Sequence, residues 1–336
     1  MQHEIKQFRK VASVIEELSY GNDPHPQIVE IHPTDICNFE CIYCFRNSSN
    51  YKPLREEDVI DFDQYRSLFQ QMYSLDIADL SISGGGEPTM DDRLPDLLAE
   101  ACKNSLNVRV VTNGSFVDSN LLLELATIGE VRVSVDAIRA ETYSKVHKVS
   151  KDMFYKVMDN IKKLIAFKEK NGSNLKIGIT FLINRVNYLE VVDFCEEILR
   201  LDIDEIIIKH DVYHAHQIPK ERIEKVLDEL EIINDNRINI RRPVIMDLRE
   251  LGCFVPYFKV ALDPYGNVYS CCLAAQPGET NGCMLGNIKS DSFISIWEQS
   301  KNLRFALRTK GVPCVYCNYI DYRLNWLIAK HGGGEI

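Results

Sequence analysis

The chain has 336 residues, 39 basic against 49 acidic side chains, a net charge of −10 and 45% hydrophobic content. A globular chain of this length buries roughly three quarters of its unfolded surface, so no disulfide framework is needed. The acidic balance argues against nucleic-acid or anionic-membrane binding, and no apolar run nears the roughly 18 residues of a membrane helix. The start, MQHEIKQFRKVASVIEEL, is charged throughout and lacks a secretory apolar core, so the expectation is a cytoplasmic protein.

Residues 1–27 read as an N-terminal helical extension. Short β-rich runs follow at 28–31, 79–83, 107–112, 130–135, 176–183 and 205–209. Helical periodicity separates them at 62–75, 94–104, 121–128, 153–170 and 188–201. Strand followed by helix makes parallel neighbours joined by right-handed crossovers. Six such α/β units suit a partial (β/α)6 TIM-like barrel or a doubly wound sheet, and both place chemistry at the carboxyl ends of strands. After a helix near 221–234 the periodicity breaks at Arg241-Arg242-Pro243. From Cys253 onward, short strands, turns and one helix around 293–307 read as a small α+β module. The expected domains are 28–245 and 246–336.

The six strand ends carry Cys37, Gly84-Gly85-Gly86-Glu87-Pro88, Thr112-Asn113-Gly114, Ser134 with Asp136, Asn184-Arg185, and Lys209-His210. Polar, glycine-rich or metal-binding groups at every end describe one active-site rim. Eleven cysteines in a reducing compartment point to metal or redox chemistry. Cys37-Asn-Phe-Glu-Cys41-Ile-Tyr-Cys44 places three thiols within eight residues. Structural zinc wants four ligands in a closed tetrahedron, whereas an iron–sulfur cluster on three cysteines leaves one iron open.

The C-x3-C-x2-C spacing, with Tyr43 before the third cysteine, resembles the radical S-adenosylmethionine (SAM) superfamily. The resemblance implies a 4Fe–4S cluster on Cys37, Cys41 and Cys44 that chelates SAM, and reductive cleavage of SAM to a 5′-deoxyadenosyl radical. It implies SAM contacts from Gly85, Gly86 and Glu87, a ribose-contacting pair in Ser134 and Asp136, and a further contribution from Asn113. Asn184 and Arg185 are candidate SAM or substrate contacts. A flavodoxin- or ferredoxin-like electron donor is the implied partner.

Cys253-x12-Gly266-x4-Cys271 precedes Cys314-Val-Tyr-Cys317, and four thiolates from two pairs complete a zinc or an iron–sulfur site. The region resembles the SPASM/Twitch extension of radical SAM enzymes, with Leu285-Gly286-Asn287 and an aromatic helix between the pairs. The longer SPASM form would continue with cysteines where Arg323 and Leu327 stand. The resemblance therefore implies the Twitch form, with a single auxiliary 4Fe–4S cluster on Cys253, Cys271, Cys314 and Cys317.

Cys272 and Cys283 remain as candidate hydrogen-atom donors, and Lys209 or His210 as substrate ligand or general base. Cys102 and Cys195 read as core. Twenty-seven residues before the first strand are too few for a leader-peptide-recognition domain. The expected function is oxidation or epimerisation of a small sugar- or cyclitol-like alcohol in a natural-product pathway. The alternative is maturation of a ribosomally made peptide, and the remote alternative a zinc-stabilised, non-enzymatic binding protein.

Overall fold

The computed structural model describes residues 2–47, 59–125, 127–210, 218–241, 252–275, 283–310, 317 and 319–331. Cys314 lies outside them, so the auxiliary site is followed below through Cys253, Cys271 and Cys317. Helix α1 (Gln2–Ser19) precedes β1 (Ile28–Ile31), and then strands and helices alternate. The succession is α2 (Phe62–Ser74), β2 (Asp79–Ile82), α3 (Leu94–Lys103), β3 (Asn107–Thr112), α4 (Ser119–Leu125) and β4 (Glu130–Ser134). It continues through α5 (Ala140–His147), α6 (Lys151–Asn171), β5 (Lys176–Ile183), α7 (Val191–Ile198), β6 (Glu205–His210), α8 (Lys220–Ile233) and β7 (Ile238–Ile240). The last part holds β8 (Lys259–Leu262), β9 (Asn267–Tyr269), β10 (Met284–Asn287), α9 (Phe293–Gln299), α10 (Lys301–Lys310) and α11 (Tyr319–His331).

Local chemistry sets several boundaries. Asp61 and Gln64 form a reciprocal capping box at the start of α2, with bonds of 2.9 and 2.8 Å. Gly172, at φ +57°, ends α6 in the left-handed conformation that needs no Cβ. Three elements exceed the sequence expectation: α5, β7 and α11, a helix beyond the one expected in the C-terminal module. Helix α5 is only eight residues long, and β7 is three, so neither spans enough turns or alternations to show a period. The helix expected around 293–307 is broken at Ser300 into α9 and α10.

All ten strands form one sheet, in the order β10-β9-β8-β1-β2-β3-β4-β5-β6-β7. Strands β1 to β7 pair in parallel, and β8 pairs in parallel with the free side of β1, Ile28 opposite Lys259. The C-terminal strands thus continue the barrel sheet. Among the described residues, no helix is long and apolar enough to cross a membrane.

Strand alternation divides the sheet into two chemical faces. Val131, Val133, Ile177, Ile179, Phe181, Ile206 and Ile208 are at most 1% exposed and form the helix-facing core, with Phe181 packing on Phe194 of α7 at 4.8 Å. Each buried side chain of this size contributes about 1.5–3 kcal/mol. The opposite residues line the lumen and are charged. Glu130 accepts from Arg109 at 2.7 Å and from Arg132, which also reaches Glu205 at 3.4 Å.

Burial alone would raise the Glu130 pKa, but Arg132 and Arg109 hold it down to about 2, against 4.5 in an unfolded chain. The folded state therefore binds fewer protons across that interval, and stability falls as pH falls from 4.5 toward about 2. Urea midpoints of the cluster-free chain should drop more steeply over this range for wild type than for Glu130→Gln. Parallel acid limbs would refute the ion-pair account.

Candidate cluster and cofactor site

The cysteine loop leaves the carboxyl end of β1 and is fastened on both sides by backbone bonds. Gly86 N donates to Thr34 O and Glu87 N to Ile36 O, both at 2.8 Å. On the far side, Glu40 N reaches His147 O at 3.2 Å and Ile42 N reaches Val146 O at 2.8 Å. The glycines permit this approach. A Cβ on Gly86 would lie 2.1 Å from Ile36 O, and one on Gly85 2.0 Å from Asp35 Oδ1. Within this structure, Gly85 and Gly86 are the seat of the loop that carries Cys37.

Glu87 is buried and fully engaged. Its Oε1 accepts from Thr89 N, Thr89 Oγ1 and Thr112 Oγ1 at 3.1, 2.8 and 2.5 Å, and its Oε2 from Asn113 N at 2.7 Å. The carboxylate ties the glycine turn to the end of β3. Asn113 in turn donates to Asn38 Oδ1 at 2.9 Å, and Asn38 to Ser115 Oγ at 2.8 Å, which pins the cysteine loop to the same strand end.

Asp136 follows β4 with a left-handed backbone, φ +57°, and its carbonyl accepts from Asn187 Nδ2 at 2.7 Å. Its carboxylate takes Leu182 N at 2.6 Å and the hydroxyl of Tyr43, so it braces the loop between Cys41 and Cys44. Ser134, two residues earlier, shares the lumen face of β4. His147, 1% exposed, lies 3.0 Å from Cys41 Sγ through Nδ1 and 3.0 Å from Val135 O through Nε2. Sequence reasoning missed His147 and Asn38. A surface-coloured helix (AETYSKVH) hides the first, and no motif flags the second.

Burial raises the pKa of Cys41, and Asp136, Cys44 and Cys37 add to it; burial likewise raises Cys37 and Cys44. All three thiols are protonated before metal binds, and their mutual repulsion as thiolates calls for a cationic group among them. Among the described residues, no three His, Cys, Asp or Glu side chains converge on a single ion. Three thiols in one loop fall short of the four ligands structural zinc takes and fit a cluster that leaves one iron open.

The other expected residues divide by strand parity. Lys209 points into the lumen, whereas buried His210 shares the helix-facing side with Ile206 and Ile208. Asn184 is an internal cap, accepting from Val186 N at 2.9 Å, and Arg185 is exposed.

In the C-terminal module, Cys253, Cys271, Cys272 and buried Cys283 pack around Ala261, Tyr269, Ala274, Ala275 and Leu307. The two adjacent thiols have different surroundings. Cys271 Sγ accepts from Ala274 N at 3.4 Å. Cys272 Sγ accepts from Lys259 Nζ at 3.4 Å, and Lys259 pairs with Asp321 at 2.8 Å and Glu30 at 3.6 Å. Glu30 is also bonded to Ser83 and His32 at 2.8 and 3.2 Å. This buried chain runs from the cysteine module across one face of β8 and β1 into the lumen, and no motif announced it.

The description "Radical SAM superfamily" matches residues 31–198, and "Iron-sulfur cluster-binding domain" (SPASM) matches 253–318. The tungsten-containing aldehyde ferredoxin oxidoreductase cofactor-modifying protein of Pyrococcus furiosus is 24% identical, over 86% of each chain. The mycofactocin maturase MftC of Mycolicibacterium smegmatis is 23% identical over 93% of this chain and 80% of its own. Among solved structures, Streptococcus suis SuiB bound to the precursor peptide SuiA shares the fold with a TM-score of 0.67 at 15% identity, covering 90% of this chain and 70% of that one.

Proposed function

Because the chain belongs to the radical SAM superfamily, with SAM and 4Fe–4S clusters as its cofactors, we propose that it matures a peptide or cofactor precursor by a two-electron oxidation. SAM beside the N-terminal cluster supplies, on one-electron reduction, a 5′-deoxyadenosyl radical able to abstract hydrogen. Cys37, Cys41 and Cys44 would hold that cluster, and the Gly85–Glu87 turn and Asn113 keep their loop seated. Cys253, Cys271, Cys314 and Cys317 would hold the auxiliary one.

The observation that carries the oxidative reading is the Cys272–Lys259–Glu30 chain, which sets the auxiliary module against the lumen rather than at the periphery. The auxiliary cluster that the module would hold would be the acceptor for the second electron of such an oxidation. Burial lowers the Lys259 pKa, but Asp321, Cys272 and Glu30 outweigh it and keep this residue an ammonium, a fixed positive charge in that chain. The substrate class rests on the two long relatives, whose names specify cofactor modification and mycofactocin maturation. The competing substrate is the small sugar-like alcohol expected from the cluster spacings.

The test is anaerobic turnover with SAM and dithionite or flavodoxin as reductant, against a peptide library and a polyol panel in deuterated buffer. Peptide-dependent deoxyadenosine and a product lighter by two hydrogens are expected. Solvent deuterium at the reacting carbon would replace oxidation with thiol-mediated epimerisation, and response to polyols alone would overturn the peptide reading.

A further inference from the structure

The lumen side of β5 to β7 carries two cations, Lys209 and Arg241, that Asp136, Glu30, Glu205 and Glu130 offset only at longer range, without an ion pair among the described residues. The register places Leu182 opposite Lys209, and Arg241 N bonds to Ile208 O at 2.8 Å, which sets Arg241 beside Lys209 on the same face. Thr180 lies one step lower on β5, opposite Ile207. Among the described residues, Arg241 Nε and Nη2 and Thr180 Oγ1 are buried without a hydrogen-bond partner, and Thr180 is only 4% exposed. Lys209 beside them is partly exposed and forms no ion pair among the described residues.

The lumen carboxylates that might neutralise these cations are already engaged. Glu130 is held by Arg109 and Arg132, and Glu205 by Arg132 and Asn239. Glu30 is held by Lys259, His32 and Ser83, and Asp136 by Leu182 and Tyr43. Burial, with Arg241 and Arg132 nearby, lowers Lys209 to about 7, and burial with Arg132 lowers Arg241 to about 9. Placing an ammonium beside a half-buried guanidinium is costly unless an anion joins them.

We propose that Lys209, Arg241 and Thr180 form a subsite for a carboxylate or phosphate group of the enzyme's substrate. A guanidinium offers paired donors matched to such groups, the ammonium adds a point charge, and the threonine hydroxyl completes the set. The subsite spans the one to three strands next to Asp136, roughly 5–15 Å at the usual strand spacing, on the same rim as the cysteine loop. A bound anion draws Lys209 back toward its ammonium form, so of the two roles the sequence offered Lys209, substrate ligand or general base, the subsite uses the first. This inference rests on the enzymatic reading above and names the chemistry of that substrate.

The methionine carboxylate of SAM has the same chemistry, so the experiment separates the two sources. Melting temperatures of the reconstituted enzyme are followed against inorganic phosphate and acetate at constant ionic strength, and SAM affinity is measured by calorimetry. Wild type should show a saturable upward shift with one or both anions. Lys209→Met with Arg241→Met should abolish it while binding SAM within twofold of wild type. Thr180→Val, which leaves both cations in place, should weaken the anion several-fold and guards against misfolding of the double variant. An unshifted wild type, an unchanged response in the variants, or a tenfold loss of SAM affinity would each overturn the proposal. None of these readouts requires turnover, so a failure here is distinct from absent deoxyadenosine formation.

Discussion

Gly86→Ala is expected to abolish the N-terminal cluster while leaving the auxiliary one in place. Reconstituted wild type should hold about eight irons per chain and the variant about four. The added Cβ meets backbone: Ile36 O at 2.1 Å and Asp35 C at 2.6 Å. Backbone inside a seated loop cannot swing aside as a side-chain tip can, so the segment leading into Cys37 must move. Cluster ligation tolerates little displacement, because each sulfur must meet its own iron. Deoxyadenosine formation should fall at least a hundredfold.

Gly85→Ala supplies the contrast. Its Cβ would meet Asp35 Oδ1, the end of a side chain whose other oxygen accepts from Tyr265 at 3.0 Å. A χ rotation relieves that clash at the expense of one hydrogen bond, about 0.5–1.5 kcal/mol. This variant should keep about eight irons and measurable SAM cleavage. Eight irons in Gly86→Ala, or four in Gly85→Ala, would refute the loop-seat explanation.

Exchanging the paired thiols of the module should produce an equally large split. Cys271→Ala is expected to lose the auxiliary cluster and retain about four irons, whereas Cys272→Ala should retain about eight. The assignment follows from orientation. Cys271, and not Cys272, is among the groups whose charge acts on Cys253, while Asp321, Cys271, Cys253 and Cys272 all act on Cys317. Cys272 faces Lys259, with Glu30 beyond it.

If Cys272→Ala lost half the iron, the ligand assignment would exchange and the lumen-facing chain would end at a metal ligand. With iron retained, the products of Cys272→Ala report on the chemistry. Unchanged oxidised product supports electron transfer into the module, and loss of a solvent-derived hydrogen would identify Cys272 as the donor.

Both cysteine spacings, the glycine turn and the alternation of strands and helices were legible because each is a local pattern. Three thiols in eight residues need no tertiary context, and six apolar runs separated by helical periods specify parallel crossovers. The parallel strand order that this alternation implies is the one the sheet shows. Parity at Lys209-His210 was less apparent: adjacent residues on a strand face opposite ways, so one entered the lumen and the other the helix side.

Sequence by itself determined the family, the partial barrel and the cysteine clusters, since these depend on spacing and period. Tertiary structure decided that β8 pairs with β1, which sets Cys272, Lys259 and Glu30 in one buried chain. It also decided that Glu87 and Asp136 brace the cysteine loop, and that Lys209 and Arg241 meet without a counter-ion. Partners separated by tens to hundreds of residues leave no periodic trace. A net charge of −10 says nothing about a cationic patch within the lumen, because charge on the outer surface and charge inside a barrel are set by different neighbours.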